Sequence, residues 1–142
     1  MLPIRALDHL VLTVRDVEVS AAWYRRVLGM AREDHPTGDN GSVRTSLVFG
    51  CQKINLRPVE ATQQQWFTAD RPAIGSGDLC FLVDSPPEDV ARHLADCGVA
   101  IEQRPVEKRG ARGPITSIYC RDPDGSLIEI ASYPADVLAK PG

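Results

Sequence analysis

Two short stretches decide the fold of this chain: HLVLTV at residues 9–14 and DLCFLV at residues 78–83. They begin 69 residues apart, and the same spacing separates Gly29 from Gly98, which each follow a helical pattern. In both stretches apolar side chains recur at every second position, as in a strand with one buried face. The repeated strand–helix spacing therefore predicts two copies of one module.

Helix signals follow each of these strands. Asp16 is a candidate N-cap for a helix that ends at Gly29, where glycine tolerates the left-handed conformation. In the second copy we expect Ser85 to cap the helix, with Pro86 at its first position and Glu88 at the capping-box position. Both copies thus begin as a strand followed by a helix.

Further strand signals complete each copy, and they lie at 43–49, 53–57, 101–105, 116–121 and 127–132. The residues after Gly29 and before position 43 are interpreted as a polar loop. The sequence therefore predicts an α+β fold over residues 1–142, treated as one domain. Its two modules span about 5–58 and 76–134, and a connector spans 59–75.

Composition excludes several function classes. The chain has 142 residues and a formal net charge of -3, so the basic excess of a general nucleic-acid-binding protein is missing. No apolar run approaches the roughly 20 residues that span a bilayer, and no signal peptide is visible. The cysteines at 51, 80, 97 and 120 form no CxxC pair, and we interpret them as reduced, mostly buried residues of a cytoplasmic protein.

Three polar residues fall on strand faces opposite the predicted helices: His9, Asp78 and Glu129. The alternation of side chains in a strand separates each of them from the leucine- and isoleucine-rich face. If the sheets curl together, these three side chains could converge in one concave space. A carboxylate in a strand as apolar as that of Glu129 needs a partner, which could be a metal, an arginine or solvent.

Four motifs together resemble the vicinal oxygen chelate superfamily, namely HLVLTV at 9–14, WYRRVLG at 23–29, FGCQKINL at 49–56 and SIYCRDPDGSLIEI at 117–130. This superfamily includes glyoxalases, extradiol dioxygenases, fosfomycin-resistance transferases and bleomycin-resistance proteins. The third motif is most similar to a small glyoxalase-like subgroup often labelled virulence proteins. The resemblance implies a U-shaped, eight-stranded mixed sheet around a small-molecule cavity, with helices on its outer face, in a homodimer.

The resemblance also implies one divalent metal ion, with ligand positions at His9, Asn55, Asp78 and Glu129. His9 and Glu129 match the usual pattern, whereas Asp78 replaces a histidine and Asn55 replaces a glutamate. We therefore expect His9, Asp78 and Glu129 to bind Mn, Fe, Ni, Co or Zn, and oxygen-rich ligation favours Mn²⁺ or Fe²⁺. A neutral amide at position 55 cannot act as a base, which disfavours standard glyoxalase I isomerisation. Extradiol cleavage is disfavoured because it needs two histidines.

Several residues are candidates for contact with a substrate. We expect Tyr119 and Arg112 to orient it, with Arg112 in a flexible-looking loop at 108–114. Candidate pocket residues are Asn55, Arg44, Lys53, Ser117 and Arg121, although each of these cations could equally be a surface charge.

Two hypotheses on function remain open at the level of sequence. The first is a metal-dependent lyase or isomerase, transferase or dioxygenase that acts on a small oxygenated metabolite. The alternative is a metal-free protein that sequesters a small molecule, as bleomycin-resistance proteins do, and Asn55 and Asp78 favour it. Metal content separates the two hypotheses.

Overall fold

The computed structural model describes residues 1–37 and 41–138, which divide into two compact units, Met1–Gly75 and Ser76–Gly142. The described part of the first unit contains, in order, β1 (His9–Val14), α1 (Val17–Leu28), β2 (Ala31–Pro36), β3 (Val43–Phe49) and β4 (Gln52–Pro58). That of the second contains β5 (Asp78–Leu82), α2 (Pro87–Asp96), β6 (Gln103–Gly110), β7 (Gly113–Arg121), β8 (Leu127–Ser132) and α3 (Ala135–Leu138).

Each unit forms a four-stranded mixed sheet, with strand orders β1-β4-β3-β2 and β5-β8-β7-β6. The first strand of each unit pairs in parallel with the last, and the remaining pairs are antiparallel. The predicted α+β class and the two βαβββ modules are confirmed. The eight strands of the described residues belong to two four-stranded sheets with the same strand order, whereas the family resemblance implied a single eight-stranded sheet.

The strand registers place the two sheets in one-to-one correspondence. Val11 is paired with Asn55 in the first sheet, and Cys80 is paired with Glu129 in the second. Lys53 pairs with His9, the first residue of β1, and Leu127 pairs with Asp78, the first residue of β5. Asn55 and Glu129 each lie two residues beyond these partners, so they occupy equivalent positions. One face of each sheet packs against its helix, where Leu56 and Ile128 are fully buried.

The two main helices begin differently. The carboxylate of Asp16 accepts a hydrogen bond of 3.0 Å from the backbone of Val19, and Gly29 ends α1 with φ of 67°, as predicted. The predicted cap of α2 is wrong, because α2 begins at Pro87 and no side chain caps it. Pro86 precedes a proline, which pushes it into extended backbone (ψ 154°) and prevents the helix from starting there.

Two predicted loops are also wrong. The polar segment after α1 contains β2, whose Arg32 binds Glu18 of α1 at 2.6 and 2.7 Å and Asp34 at 3.0 and 3.1 Å. Charged side chains are common on edge strands such as β2. The polar sequence of β2 therefore resembles that of a loop. The glycine-rich segment 108–114 is a tight β6–β7 hairpin that leaves only Ala111 and Arg112 between the strands.

The expectation of mostly buried cysteines is wrong as well. All four are free thiols, and only Cys120 is buried, while Cys51 and Cys80 are exposed. Cys80 is exposed because it lies on the face of β5 opposite α2. No helix within residues 1–37 and 41–138 is long and apolar enough to cross a membrane.

Candidate functional site

The second unit carries a pocket of about 500 Å³ on the sheet face opposite α2. Its lining residues are predominantly polar: Asp78, Glu102, Gln103, Lys108, Tyr119, Arg121, Leu127 and Glu129. On the other face of the sheet, Ile118, Ile128 and Ile130 are buried. The alternation of side chains along β7 and β8 thus separates a polar pocket from an apolar core.

Four side chains form a row across this sheet. The register pairs Cys80 with Glu129, Glu129 with Tyr119, and Tyr119 with Gln103. Side chains directly opposite each other on neighbouring strands lie about 5 Å apart at Cβ. The row therefore places a thiol, a carboxylate, a phenol and an amide side by side on this face of the sheet.

Glu129 is the acceptor at the centre of this cluster. The Ser117 hydroxyl donates to its carboxylate, and the Tyr119 phenol and the Cys80 thiol also hydrogen-bond to it. Partial desolvation by neighbouring side chains and, next in size, the negative charge of Glu129 together raise the pKa of the Cys80 thiol to about 11, although the residue is exposed at the surface. Burial and the same charge raise the pKa of Tyr119 above its usual value. Both groups therefore stay protonated at neutral pH and act as donors.

The raised pKa of Cys80 predicts slow alkylation. With a pKa of about 11, only about one Cys80 in a thousand is the reactive thiolate at pH 8. In metal-free protein with Cys51 and Cys97 changed to serine, we expect Glu129→Gln to accelerate the reaction with iodoacetamide several-fold at pH 8, because the pKa of Cys80 falls. Mass spectrometry between pH 7 and pH 11 measures the rate. Glu102→Gln is the matched control, and equal rates in both variants would contradict the role of Glu129.

Charges of both signs surround the cluster. Asp78, the first residue of β5, lines the same pocket as Glu129, and its charge also raises the pKa of Cys80 and Tyr119. The Lys108 ammonium lies 5.8 Å from the centre of the Tyr119 ring. Arg121 forms an ion pair with Glu102 at 3.6 Å. Three carboxylates, those of Asp78, Glu102 and Glu129, therefore share a pocket that also contains two cations.

The two candidate metal-ligand positions of the first unit are His9 and Asn55. His9 begins β1, and its Nδ1 lies 2.7 Å from the Asp8 carboxylate. Because a carboxylate only accepts, the Nδ1–H donates to Asp8, and metal-binding histidines commonly donate in this way through the nitrogen that does not bind the metal. The amide oxygen of Asn55 accepts a hydrogen bond of 2.7 Å from the Ser46 hydroxyl.

The structure brings together only part of the predicted set. Asp78, Ser117, Tyr119, Arg121 and Glu129 share one sheet face of the second unit. His9, Arg44, Lys53 and Asn55 belong to the first unit. Within neither unit do three His, Cys, Asp or Glu side chains form a metal-binding group, as far as residues 1–37 and 41–138 are concerned.

Arg112 is not among the residues that line this pocket. It lies at the β6–β7 turn with its side chain exposed, and seven residues along β7 separate it from Tyr119, roughly 20 Å. Its backbone N–H donates to the Tyr133 hydroxyl at 2.9 Å. The sequence analysis missed Cys80 and Lys108. Cys80 was detectable, because it follows Asp78 by two residues and so shares its face.

The sequence matches, over residues 6–130, the family described as Glyoxalase/Bleomycin resistance protein/Dioxygenase superfamily. The chain belongs to this superfamily. Members typically bind a divalent metal and small molecules, and they are often dimeric. The resemblance drawn from the four sequence motifs is therefore confirmed.

Similar members of the superfamily include Virulence protein STM3117 of Salmonella typhimurium, which is 44% identical over 89% of this chain and 83% of its own length. The crystal structure of that protein superposes with a TM-score of 0.82, covering 94% of this chain and 100% of that one. A V. Cholerae integron cassette protein, VCH_CASS1, is 42% identical with a TM-score of 0.86, over 94% and 99% of the two chains. An ethylmalonyl-CoA/methylmalonyl-CoA epimerase of Cereibacter sphaeroides is 32% identical over 87% of this chain and 95% of its own.

Proposed function

We propose that this protein is a divalent-metal-dependent enzyme that acts on a small oxygenated metabolite. The observation that carries the proposal is the shared pocket of Asp78 and Glu129, two carboxylates that line one cavity of the second unit. Carboxylate oxygens with one imidazole suit Mn²⁺ or Fe²⁺. His9 of the first unit remains the candidate imidazole ligand expected from the sequence, and its contact with Asp8 leaves Nε2 free to bind a metal.

The residues around the carboxylates have separate roles in the proposal. A divalent ion held by Asp78 and Glu129 would polarise neighbouring oxygens of the substrate as a Lewis acid. Tyr119, which stays protonated and lines the same pocket, orients the substrate. Lys108 and Arg121 attract an anionic group to the pocket.

The reaction type that we favour is an isomerase or lyase reaction. One relative is named an epimerase, and epimerases are isomerases. Asn55, whose amide oxygen already accepts from Ser46, cannot serve as the base that glyoxalase I chemistry needs. The proposed enzyme is cytoplasmic and, in line with the family resemblance, a homodimer.

Metal content tests the proposal directly. We expect untagged protein purified without chelator to contain near one Mn, Fe, Ni, Co or Zn per chain by elemental analysis, and Glu129→Gln to lose it. Glu107→Gln, which changes an exposed carboxylate of β6, is the control and retains the metal. Unchanged metal content in Glu129→Gln would refute the assignment of this ligand.

A second candidate function is metal-free binding of a small molecule. The observation that favours it is that Glu129 already accepts hydrogen bonds from Ser117, Tyr119 and Cys80. A carboxylate satisfied in this way needs no cation. Absence of metal after reconstitution with each of the five ions would select this candidate, and a copurifying ligand would then be sought by mass spectrometry.

A further inference from the structure

The segment after β4, residues 59–75, is locally well ordered rather than a simple linker. Thr62 and Gln65 form a reciprocal capping box: the Thr62 hydroxyl accepts from the Gln65 backbone at 3.2 Å, and the Gln65 side chain accepts from the Thr62 backbone at 2.9 Å. Gln63 bonds the backbone of Thr68 and Ala69, at 2.9 Å each. These bonds fix the backbone of the segment in one conformation.

A buried arginine holds the same segment against the sheet. Arg57 of β4 is 1% exposed, and its guanidinium donates to the carbonyls of Pro58, Ala61 and Trp66. Because these three carbonyls accept hydrogen bonds from a cation, they present less negative charge to a ligand bound next to them.

Between this segment and β3 lies a pocket of about 720 Å³ in the first unit, lined by Thr37, Ser42, Val43, Arg44, Pro58, Glu60, Ala61, Gln64, Gln65 and Trp66. The Arg44 guanidinium lies 4.3 Å from the centre of the Trp66 ring and 3.4 Å from the Gln65 carbonyl. Stacking on a buried ring fixes a planar guanidinium while its remaining N–H groups stay available.

The middle residue of the glutamine tract differs from its neighbours. The side chains of Gln63 and Gln65 form hydrogen bonds with the backbone of the segment, whereas Gln64 has no hydrogen-bond partner among residues 1–37 and 41–138. Gln64 lines the pocket, so its amide is available to a ligand.

We propose that this pocket, which the proposed enzymatic function does not use, binds a small zwitterionic amino-carboxylate with an apolar side chain. The fixed Arg44 guanidinium binds the carboxylate, and the Glu60 carboxylate binds the ammonium group. A dianion is disfavoured because Glu60 would repel its second charge. Val43, Pro58 and Ala61 provide apolar contact for the carbon chain.

Three matched probes test the charge requirement: L-leucine, 4-methylpentanoate without the amine, and 3-methylbutylamine without the carboxylate. Trp66 fluorescence in a Trp23→Phe background reports binding, because Arg44 contacts its ring. Chelator is added to remove metal, so the result does not depend on the proposed metal site. We expect L-leucine to bind at least about tenfold more tightly than either analogue, since each analogue loses one charge-assisted contact.

Two variants assign the charges. We expect Arg44→Met to bind L-leucine only as tightly as the wild type binds 3-methylbutylamine. We expect Glu60→Gln to bind L-leucine only as tightly as the wild type binds 4-methylpentanoate. Arg71→Met, which changes an exposed arginine of the same segment, is the control. The proposal is overturned if no probe gives saturable binding, if the three probes bind alike, or if Arg44→Met leaves the affinity for L-leucine unchanged.

Discussion

Replacing Arg57 with methionine is expected to lower the free energy of unfolding by about 3 kcal/mol. The guanidinium is almost completely buried and donates to the main-chain carbonyls of Pro58, Ala61 and Trp66. Methionine fills similar space without donors, so these carbonyls lose their partner. Relief of the buried charge offsets part of this cost, which is why the expected loss is not larger.

Urea denaturation measures this loss, and Trp66 shows where it arises. With Trp23 changed to phenylalanine, we expect a red shift of Trp66 emission in Arg57→Met before global unfolding, because the ring is 8% exposed in the wild type. Arg71→Met, at an arginine whose side chain is 95% exposed, should change stability by less than about 0.5 kcal/mol. Equal stability of the two variants would show that the carbonyl contacts of Arg57 contribute nothing.

The second large effect is expected at Gly110, the last residue of β6. A Cβ atom at this position would overlap the Tyr133 hydroxyl and lie 3.0 Å from its Cζ. Tyr133 cannot move freely, because its hydroxyl accepts from the Arg112 backbone and its ring packs with Ile115 and Ala131. We expect Gly110→Ala to lower the free energy of unfolding by about 2 kcal/mol.

A double-mutant cycle isolates this contact. Tyr133→Phe removes the overlapping oxygen, so Gly110→Ala should be less destabilising in that background, with a coupling energy of about 1 kcal/mol by chemical denaturation. Additive effects of the two changes would mean that the cost at Gly110 arises elsewhere.

The sequence predicts those elements best whose signals are local. Asp16 and Gly29 delimit α1 by side-chain and backbone preferences that act within one turn, and both have their predicted roles. β2 was missed because Arg32 draws its stabilisation from Glu18 of α1, which no local pattern shows.

The site was likewise predicted only in part, because strand alternation is a local signal and contacts between strands are not. Strand alternation places Asp78, Tyr119 and Glu129 on pocket-facing positions, and the structure agrees. Arg112 was expected in a flexible loop because glycines near a turn suggest one, whereas they form a tight hairpin here. Lys108 was missed because its proximity to Tyr119 depends on the pairing of β6 with β7.

The parallel pairing of β5 with β8 sets an order for folding. The strands β6, β7 and β8 can zip together through successive hairpins, whereas Cys80 must meet Glu129 across 49 residues of chain. Closing so long a loop is entropically slow, so we expect β5 to join the sheet last. Asp78 and Glu129 then come together only in molecules whose second unit has finished folding. A partly folded chain therefore lacks this pair of carboxylates as a place to bind a metal ion.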